Sequence, residues 1–329
     1  MRTVRYSLVI PIYNDAYLAR DFCIAFRDVM EKHLARKNIE DEVELIFVND
    51  GSADDSITTL KALVSNFAFV RVIDLSRNFG QHIAIACGLA EARGQIVGRA
   101  NVDMQDPVLE IPRMLQALEQ SDTDIIVGVY QERFSKIRDK LSAYFFYKFF
   151  NWLSNGTTPQ NTSSLRFMSR RYVDAYNKLN EKTRFPQGLD NWLGFNHRYI
   201  SIAHSERKDG QSSYTFKKRV KLGVDAALSF SERPLRLIFW LGVAFLAFGA
   251  AYSAYLIAWR FLSPDPIPGY ASLVILFVTF CGIQNLCLGI VAQYIGKILQ
   301  EVLDRPLFLV KDRYEPSQKA RDDEHAAKQ

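Results

Sequence analysis

Two long stretches without a single charge constrain this chain more than any other feature. Leu237–Trp259 is a run of 23 residues between Arg236 and Arg260, and another 31 uncharged residues separate Asp265 from Lys297. About 20 apolar residues in a helix cross a hydrocarbon core of about 30 Å. The first run is therefore long enough to span a membrane, and a second span fits from about Ala271 to Gly296. Pro264, Pro266, Pro268 and Gly269 make a tight turn between them. Gln284, Asn285 and Gln293 interrupt the second span and are expected to face the partner helix, with contact to a lipid headgroup the alternative. The alternative for both runs is a pair of buried core helices. Basic residues crowd both outer flanks, while the connecting loop holds only Arg260 and Asp265. That asymmetry places both ends in the cytoplasm, as a transmembrane hairpin over 236–297 with a tail over 298–329.

The rest of the chain reads as a soluble domain. With 41 Lys+Arg and 36 Asp+Glu, most of them outside the two runs, the composition excludes a disordered chain, a collagen and a small disulfide scaffold. Cys23, Cys87, Cys281 and Cys287 form no CxxC pair and have no histidine at metal spacing, so they read as small buried hydrophobes in a reducing compartment. The apolar stretch at the N-terminus is too short for a signal peptide and reads as a strand. This part is expected to stay in the cytoplasm.

Strand-like and helix-like segments alternate through residue 130. Strands are expected at Val4–Ile12, Glu44–Val48, Phe69–Leu75, Ile96–Asn101 and Asp124–Tyr130, with helices between them. Such alternation predicts an α/β domain with a mostly parallel, Rossmann-like sheet and helices on both faces. Ligands of such sheets bind beyond the carboxyl ends of the strands. The polar motifs sit there: Pro11-Ile-Tyr13-Asn-Asp15, Asn49-Asp50-Gly51-Ser52, and Asn101-Val-Asp103-Met-Gln105-Asp-Pro. Either of the first two alone could be an ordinary strand-to-helix turn. In the third, a carboxylate two residues from another oxygen donor suits a hard cation bridging a diphosphate, Mg²⁺ or Mn²⁺. No GxGxxG follows a strand, which argues against a dinucleotide-dependent dehydrogenase.

The net charge of +5 is locally concentrated. His204 to Arg236 carries eight basic and four acidic residues, a pattern for anionic lipid headgroups. Nucleic acid is not expected as a partner, since no recognition motif accompanies the charge. Residues 133–154 combine basic residues with Tyr144, Phe145, Phe146, Tyr147, Phe149, Phe150 and Trp152. A helix lying in the bilayer interface accounts for them, as does a core or oligomer helix.

In order along the chain, these motifs resemble the inverting GT-A glycosyltransferases. The further segments Leu75-Ser-Arg-Asn-Phe-Gly-Gln81, Asn161-Thr-Ser-Ser-Leu-Arg166, Arg207 through Gly210 to Tyr214, Phe230 to Arg236 and Arg305-Pro-Leu-Phe resemble the polyisoprenyl-phosphate branch. That branch includes dolichol-phosphate mannose synthase and its bacterial undecaprenyl-phosphate relatives. The resemblance runs from about Tyr6 to Tyr314. It implies a cytoplasmic GT-A catalytic domain over 1–212, a juxtamembrane amphipathic helix over 213–235, and the hairpin, in a bacterial inner membrane.

It also implies roles for individual residues. Pro11, Tyr13, Asp15, Asp50, Gly51, Ser52, Asn101 and Asp103 bind the nucleotide-sugar donor, a UDP-sugar, with Asp50 accepting from the base and Tyr13 lining its face. Asp103 and Gln105 hold the metal. Arg133, Arg138, Arg166, Arg207, Ser212 and Ser213 gather the phosphate of a polyisoprenyl lipid acceptor. Asp103, Arg166 and Arg207 carry catalysis, and a homo-oligomer is implied, with Arg305–Val310 a stretch that could be exchanged between copies. Asn101 departs from the family's Asp-x-Asp-x-Gln, Asp15 stands where Glu is usual, and Asn161 and Ser164 replace residues commonly acidic. A processive polysaccharide synthase would need a Gln-x-x-Arg-Trp element and more spans. A lipid-binding scaffold with an altered metal site is the non-enzymatic alternative.

Overall fold

A computed structural model describes residues 4–130, 162–182, 184, 186–203, 233–262 and 269–316. These divide into two compact units, a sheet unit and a helical unit.

The sheet unit grows from strands that are buried on both faces. β1 (Tyr6–Ile12) and β2 (Val43–Asn49) are buried at every position, and so is β3 (Val70–Leu75). Such runs belong at the centre of a parallel sheet covered on both sides. With β4 (Ile96–Arg99), β5 (Ile125–Tyr130), β6 (Thr162–Ser169), β7 (His197–Ile202) and β8 (Val310–Tyr314), the order is β7-β5-β6-β4-β1-β2-β3-β8. β1 to β4 run parallel, as do β5 and β7, while β6 and β8 are antiparallel to their neighbours.

One face of this sheet carries Leu8, Ile10, Ile12, Leu45 and Phe47. They pack with Phe22, Phe26 and Met30 of α1 (Ala19–Leu34) and with Met114, Leu115 and Leu118 of α4 (Ile111–Glu119). The i, i+4 spacing of those helical residues is what makes them a core-facing stripe. α2 (Ser56–Asn66) adds Leu60 and Leu63 to the same core. The opposite face is covered by α3 (Gln81–Glu91), which comes close because it has Gly88 at the contact. A Cβ there would lie 2.2 Å from Val9 Cγ1. α5 (Arg170–Asn177) packs beside α3, and α6 (Pro186–Leu193) beside α5.

β8 lies within the segment expected to be a cytoplasmic tail. It adds an edge strand to the sheet, pairing antiparallel with β3 of its own chain. Charge chemistry holds it: buried Arg71 donates to Glu44 at 2.8 Å and pairs with Glu315 at 3.1 Å, while Arg313 pairs with Glu91 at 2.6 Å.

The helical unit consists, among the described residues, of α7 (Arg233–Leu262) and α8 (Tyr270–Val302). Ile238–Trp259 is long and apolar enough to cross a membrane. Gln284, Asn285 and Gln293 were expected to face the partner helix. All three are exposed, and Asn285 Nδ2 donates to the Cys281 carbonyl of its own helix at 2.9 Å. The interfacial segment 133–154 lies outside the described residues, as does the juxtamembrane stretch up to residue 232.

Candidate active site

The carboxyl ends of β1, β2 and β4 stand side by side, because β1 lies between the other two. Beyond β1 the chain turns at Asn14, whose φ of 59° is the left-handed conformation asparagine tolerates. Asn14 N–H donates to Ser52 Oγ, and its own Oδ1 accepts from Ala53 N–H, both at 3.0 Å. Ser52 Oγ in turn donates to Asn49 Oδ1 at 2.6 Å. The two strand-end loops are therefore stitched together by side chain to backbone bonds. Tyr13 is left projecting from this frame, 49% exposed, while Pro11 is buried inside β1.

Asp50 is almost completely buried. Its two carboxylate oxygens accept from Phe79 N–H at 2.7 Å and Gly80 N–H at 2.9 Å, which pins the loop that leaves β3. Burial pushes this carboxyl up, and the two N–H groups and Arg77 oppose the shift. Gly51 is required beside it: φ is +62°, and a Cβ would lie 2.3 Å from the Arg77 carbonyl carbon. Arg77 itself lies over the Phe79 ring, 4.1 Å from the centroid. An aspartate at a strand end gives no sequence signal that separates a base acceptor from a loop clamp. In the structure, Asp50 clamps the loop.

The loop after β4 holds the remaining oxygen donors. Asn101 Oδ1 accepts from Gln81 Nε2 at 3.0 Å, and Asp103 Oδ1 from Gln105 N–H at 3.2 Å, across Met104 with φ of 53°. Burial and then the neighbouring carboxylates of Asp103 and Asp54 push Asp15 up to about 6, against the N–H of Tyr13. A set of mutually repelling carboxylates at a strand end fits a hard cation, whose charge would relieve the repulsion. Among the described residues, no three His, Cys, Asp or Glu side chains converge as a complete metal cage. The donor set thus fits an ion such as Mg²⁺ that takes one or two carboxylates and completes its shell with substrate phosphates and water.

Arg166 sits elsewhere than a surface phosphate-binding residue would. It is 2% exposed and donates from Nη1 to Asp190, which also accepts from the Tyr172 hydroxyl. Nothing local in the sequence marks Asp190 and Tyr172, or Asp106, whose carboxylate accepts from the hydroxyls of Tyr130, Ser163 and Ser164. Three hydroxyl donors on one buried carboxylate tie the loop after β4 to β5 and β6. The Asp-Pro after Gln105 was in view in the motif, but only the fold brings the hydroxyls to it. Arg133, Arg138, Arg207, Ser212 and Ser213 lie outside the described residues.

A mixed, mostly parallel sheet with this strand order, and with carboxylates and oxygen donors at the ends of β1, β2 and β4, is the architecture of a GT-A glycosyltransferase. The chain belongs to glycosyl transferase family 2, whose model matches residues 7–177, and residues 233–298 match the GtrB C-terminal hairpin. It is 32% identical over 314 residues to an uncharacterized glycosyltransferase, YkcC, of Bacillus subtilis strain 168, covering 95% of each chain. It is 30% identical over 311 residues to a bactoprenol glucosyl transferase of Shigella phage SfX, covering 94% of this chain and 100% of that one. Glucosyl-3-phosphoglycerate synthase of Mycobacterium tuberculosis, solved with Mn²⁺, uridine diphosphate and phosphoglyceric acid, is similar in fold. The TM-score is 0.50 at 15% identity, over 69% of this chain and 78% of that one.

Proposed function

We propose that this protein transfers a sugar from a nucleotide-sugar donor, a UDP-sugar, to a polyisoprenyl phosphate of the undecaprenyl type at the cytoplasmic face of the bacterial inner membrane. The observation that carries this reading is the union, in one chain, of a strand-end carboxylate site with a membrane hairpin. The bactoprenol glucosyl transferase of phage SfX, similar over its whole length, supports the lipid acceptor. The Mn²⁺ and uridine diphosphate in the mycobacterial synthase are in keeping with the donor and the cation.

The acceptor phosphate is an anion near neutral pH and needs little or no general base. One of its oxygens attacks the anomeric carbon, the bond from that carbon to the donor's diphosphate breaks, and the nucleoside diphosphate leaves with the electron pair. Direct displacement inverts the configuration. The site then has to position two anions and relieve their repulsion. Tyr13 offers a ring face to the base, and Gly51 and Ser52 offer a close-approaching backbone. The lone pairs that Asp50 keeps free can accept from the base. Asp103, Gln105 and Asn101 would hold Mg²⁺ or Mn²⁺, which as a Lewis acid stabilises charge on the departing diphosphate. Arg133, Arg138, Arg207, Ser212 and Ser213 would gather the lipid phosphate, and Arg166 would add positive charge near the end of β4.

The test is transfer by purified full-length protein in detergent, with a panel of nucleotide sugars, Mg²⁺ or Mn²⁺, and a short-chain polyprenyl phosphate. A lipid-linked sugar is expected from one member of the panel. No transfer and no nucleotide-sugar hydrolysis across the panel would sink the proposal.

A further inference from the structure

Two buried guanidinium groups lie just inside the strand ends. Arg99 closes β4 and pairs in register with Arg166 of β6, so both guanidinium groups leave the sheet on the same face. They are 6% and 2% exposed. One carboxylate, that of Asp190, stands between them and neutrality, and it is already bonded to Arg166 and to the Tyr172 hydroxyl. Nε of Arg99, Nε of Arg166 and Nδ1 of His82 are all buried without a hydrogen-bond partner.

That arrangement works against folding. Unpaired buried donors and adjacent like charges both cost stability, and apolar side chains of similar volume would pack there without either penalty. A costly cluster of this kind in an enzyme points to a ligand whose charge completes it. The position agrees. Asn101 follows Arg99 by two residues and is bonded to Gln81, the neighbour of His82 in α3. His82 is the partly exposed member of the cluster, and its neighbour Gln81 is the residue bonded to the loop after β4. Burial and the two guanidinium groups hold its imidazole neutral, down to about 4. A neutral imidazole is able to donate to an oxyanion without adding a third positive charge.

We propose that Arg99, Arg166 and His82 form an oxyanion subsite that takes a phosphate group, from either the nucleoside diphosphate of the donor or the phosphate monoester of the lipid acceptor. Arg99 and His82 are its new members, and the subsite rests on the glycosyltransferase reading given above. Its fixed positive charge lies on the chain segment where Asn101 withholds a carboxylate, so the strand end is less negative than an Asp-x-Asp loop would make it. Guanidinium suits the task, because it stays charged when buried and presents its donors in a rigid fork.

The experiment uses full-length protein in detergent. Binding of uridine diphosphate with Mg²⁺, and separately of farnesyl phosphate, is measured by calorimetry, alongside the melting temperature. Arg99→Met is expected to melt at the same temperature or higher, yet to bind one of the two probes at least tenfold more weakly. The affected probe identifies the source of the phosphate. His82→Phe is expected to weaken the same probe several-fold. Should Arg99→Met not fold, Arg99→Lys keeps the charge, loses the fork, and is expected to weaken that probe at least threefold. Wild-type protein that binds both probes, beside folded Arg99 variants that bind them equally well, overturns the subsite and leaves the glycosyltransferase reading standing. Wild-type protein that binds neither overturns both.

Discussion

The backbone N–H of Gly80 donates to Asp50 Oδ2 at 2.9 Å, joining the end of β2 to the loop that leaves β3. The other oxygen of the same carboxylate takes Phe79 N–H at 2.7 Å. A single buried side chain thus fixes the backbone of Phe79-Gly80 just before α3 begins, where Gly80 adopts φ of 100°.

Replacing Asp50 by Asn keeps the size but turns one acceptor oxygen into an NH₂ facing a backbone N–H. A buried donor loses its partner, which costs about 1–3 kcal/mol. The expected result for Asp50→Asn is a lower melting temperature together with a nucleotide affinity reduced at least tenfold, since the freed loop borders the donor site. Calorimetry with uridine diphosphate checks the second part. A variant that loses stability but binds with wild-type affinity would show that the loop has no part in donor binding.

How much of this was legible beforehand depends on the range of the interaction. The strands β1 to β5 could be read because their buried runs are local, and those of β1, β2 and β4 are closed by Asn, Asp or Gly. The same turn residues marked the strand-end sites at Asp15, Asp50 and Asp103. The role of Asp50 as a clamp was not legible, since its partners are backbone groups about 30 residues away with no side-chain signature. Nor was the burial of Arg166 beside Arg99: two arginines 67 positions apart meet only because β6 runs antiparallel to β4. The joining of β8 to β3 depends on ion pairs spanning more than 200 residues, and a charged strand reads locally as a tail.

Those ion pairs give a second prediction. Glu44 is buried and accepts from Ser7 Oγ at 2.5 Å, Arg93 N–H at 2.6 Å and Arg71 Nη1 at 2.8 Å. Glu44→Ala leaves Arg71 with the partly exposed Glu315 as its nearest counter-charge, and breaking a buried pair costs about 3–5 kcal/mol. Arg71→Met also removes a partner from Glu44, yet it fills the volume with an apolar chain, so it is expected to be the milder change. Deleting residues 306–329 removes β8 and Glu315 together and is expected to fall between them. Thermal melts of the three proteins under one condition check the order.

A third prediction concerns acid. The His82 imidazole titrates near 6.5 in an unfolded chain but only at about 4 in the fold, where burial, Arg99 and Arg166 disfavour the cation. Between those values the unfolded chain binds the proton and the folded chain does not. The stability associated with neutral His82 is therefore complete above pH 6.5 and is lost as the pH falls toward 4, by up to about 3 kcal/mol. His82→Gln cannot titrate, so the difference in stability between wild type and variant should shift in the variant's favour across that window. A difference that stays flat from pH 7 to pH 4 would mean that neither burial nor the two guanidinium groups disfavour the His82 cation in the fold.

The last prediction follows from the loop after β4. Asn101 supplies an oxygen but no charge, while Asp103 and Asp15 already repel each other enough to help lift Asp15 to about 6. Asn101→Asp adds a further carboxylate without disturbing Gln81, whose Nε2–H can donate to an Asp oxygen as it does to the Asn oxygen. Without a divalent cation the variant is expected to melt lower than wild type, because the added charge has no partner. With Mn²⁺ and uridine diphosphate it is expected to recover, and to need roughly tenfold less Mn²⁺ for half of the effect, since affinity for hard cations rises with ligand charge. Asp103→Asn runs the other way. It relieves the repulsion, so it should melt at or above the wild-type temperature, and it should show little or no response to Mn²⁺. A wild-type response to Mn²⁺ in Asp103→Asn would remove Asp103 from the cation site, and a scaffold protein would show no such response in any of the three chains.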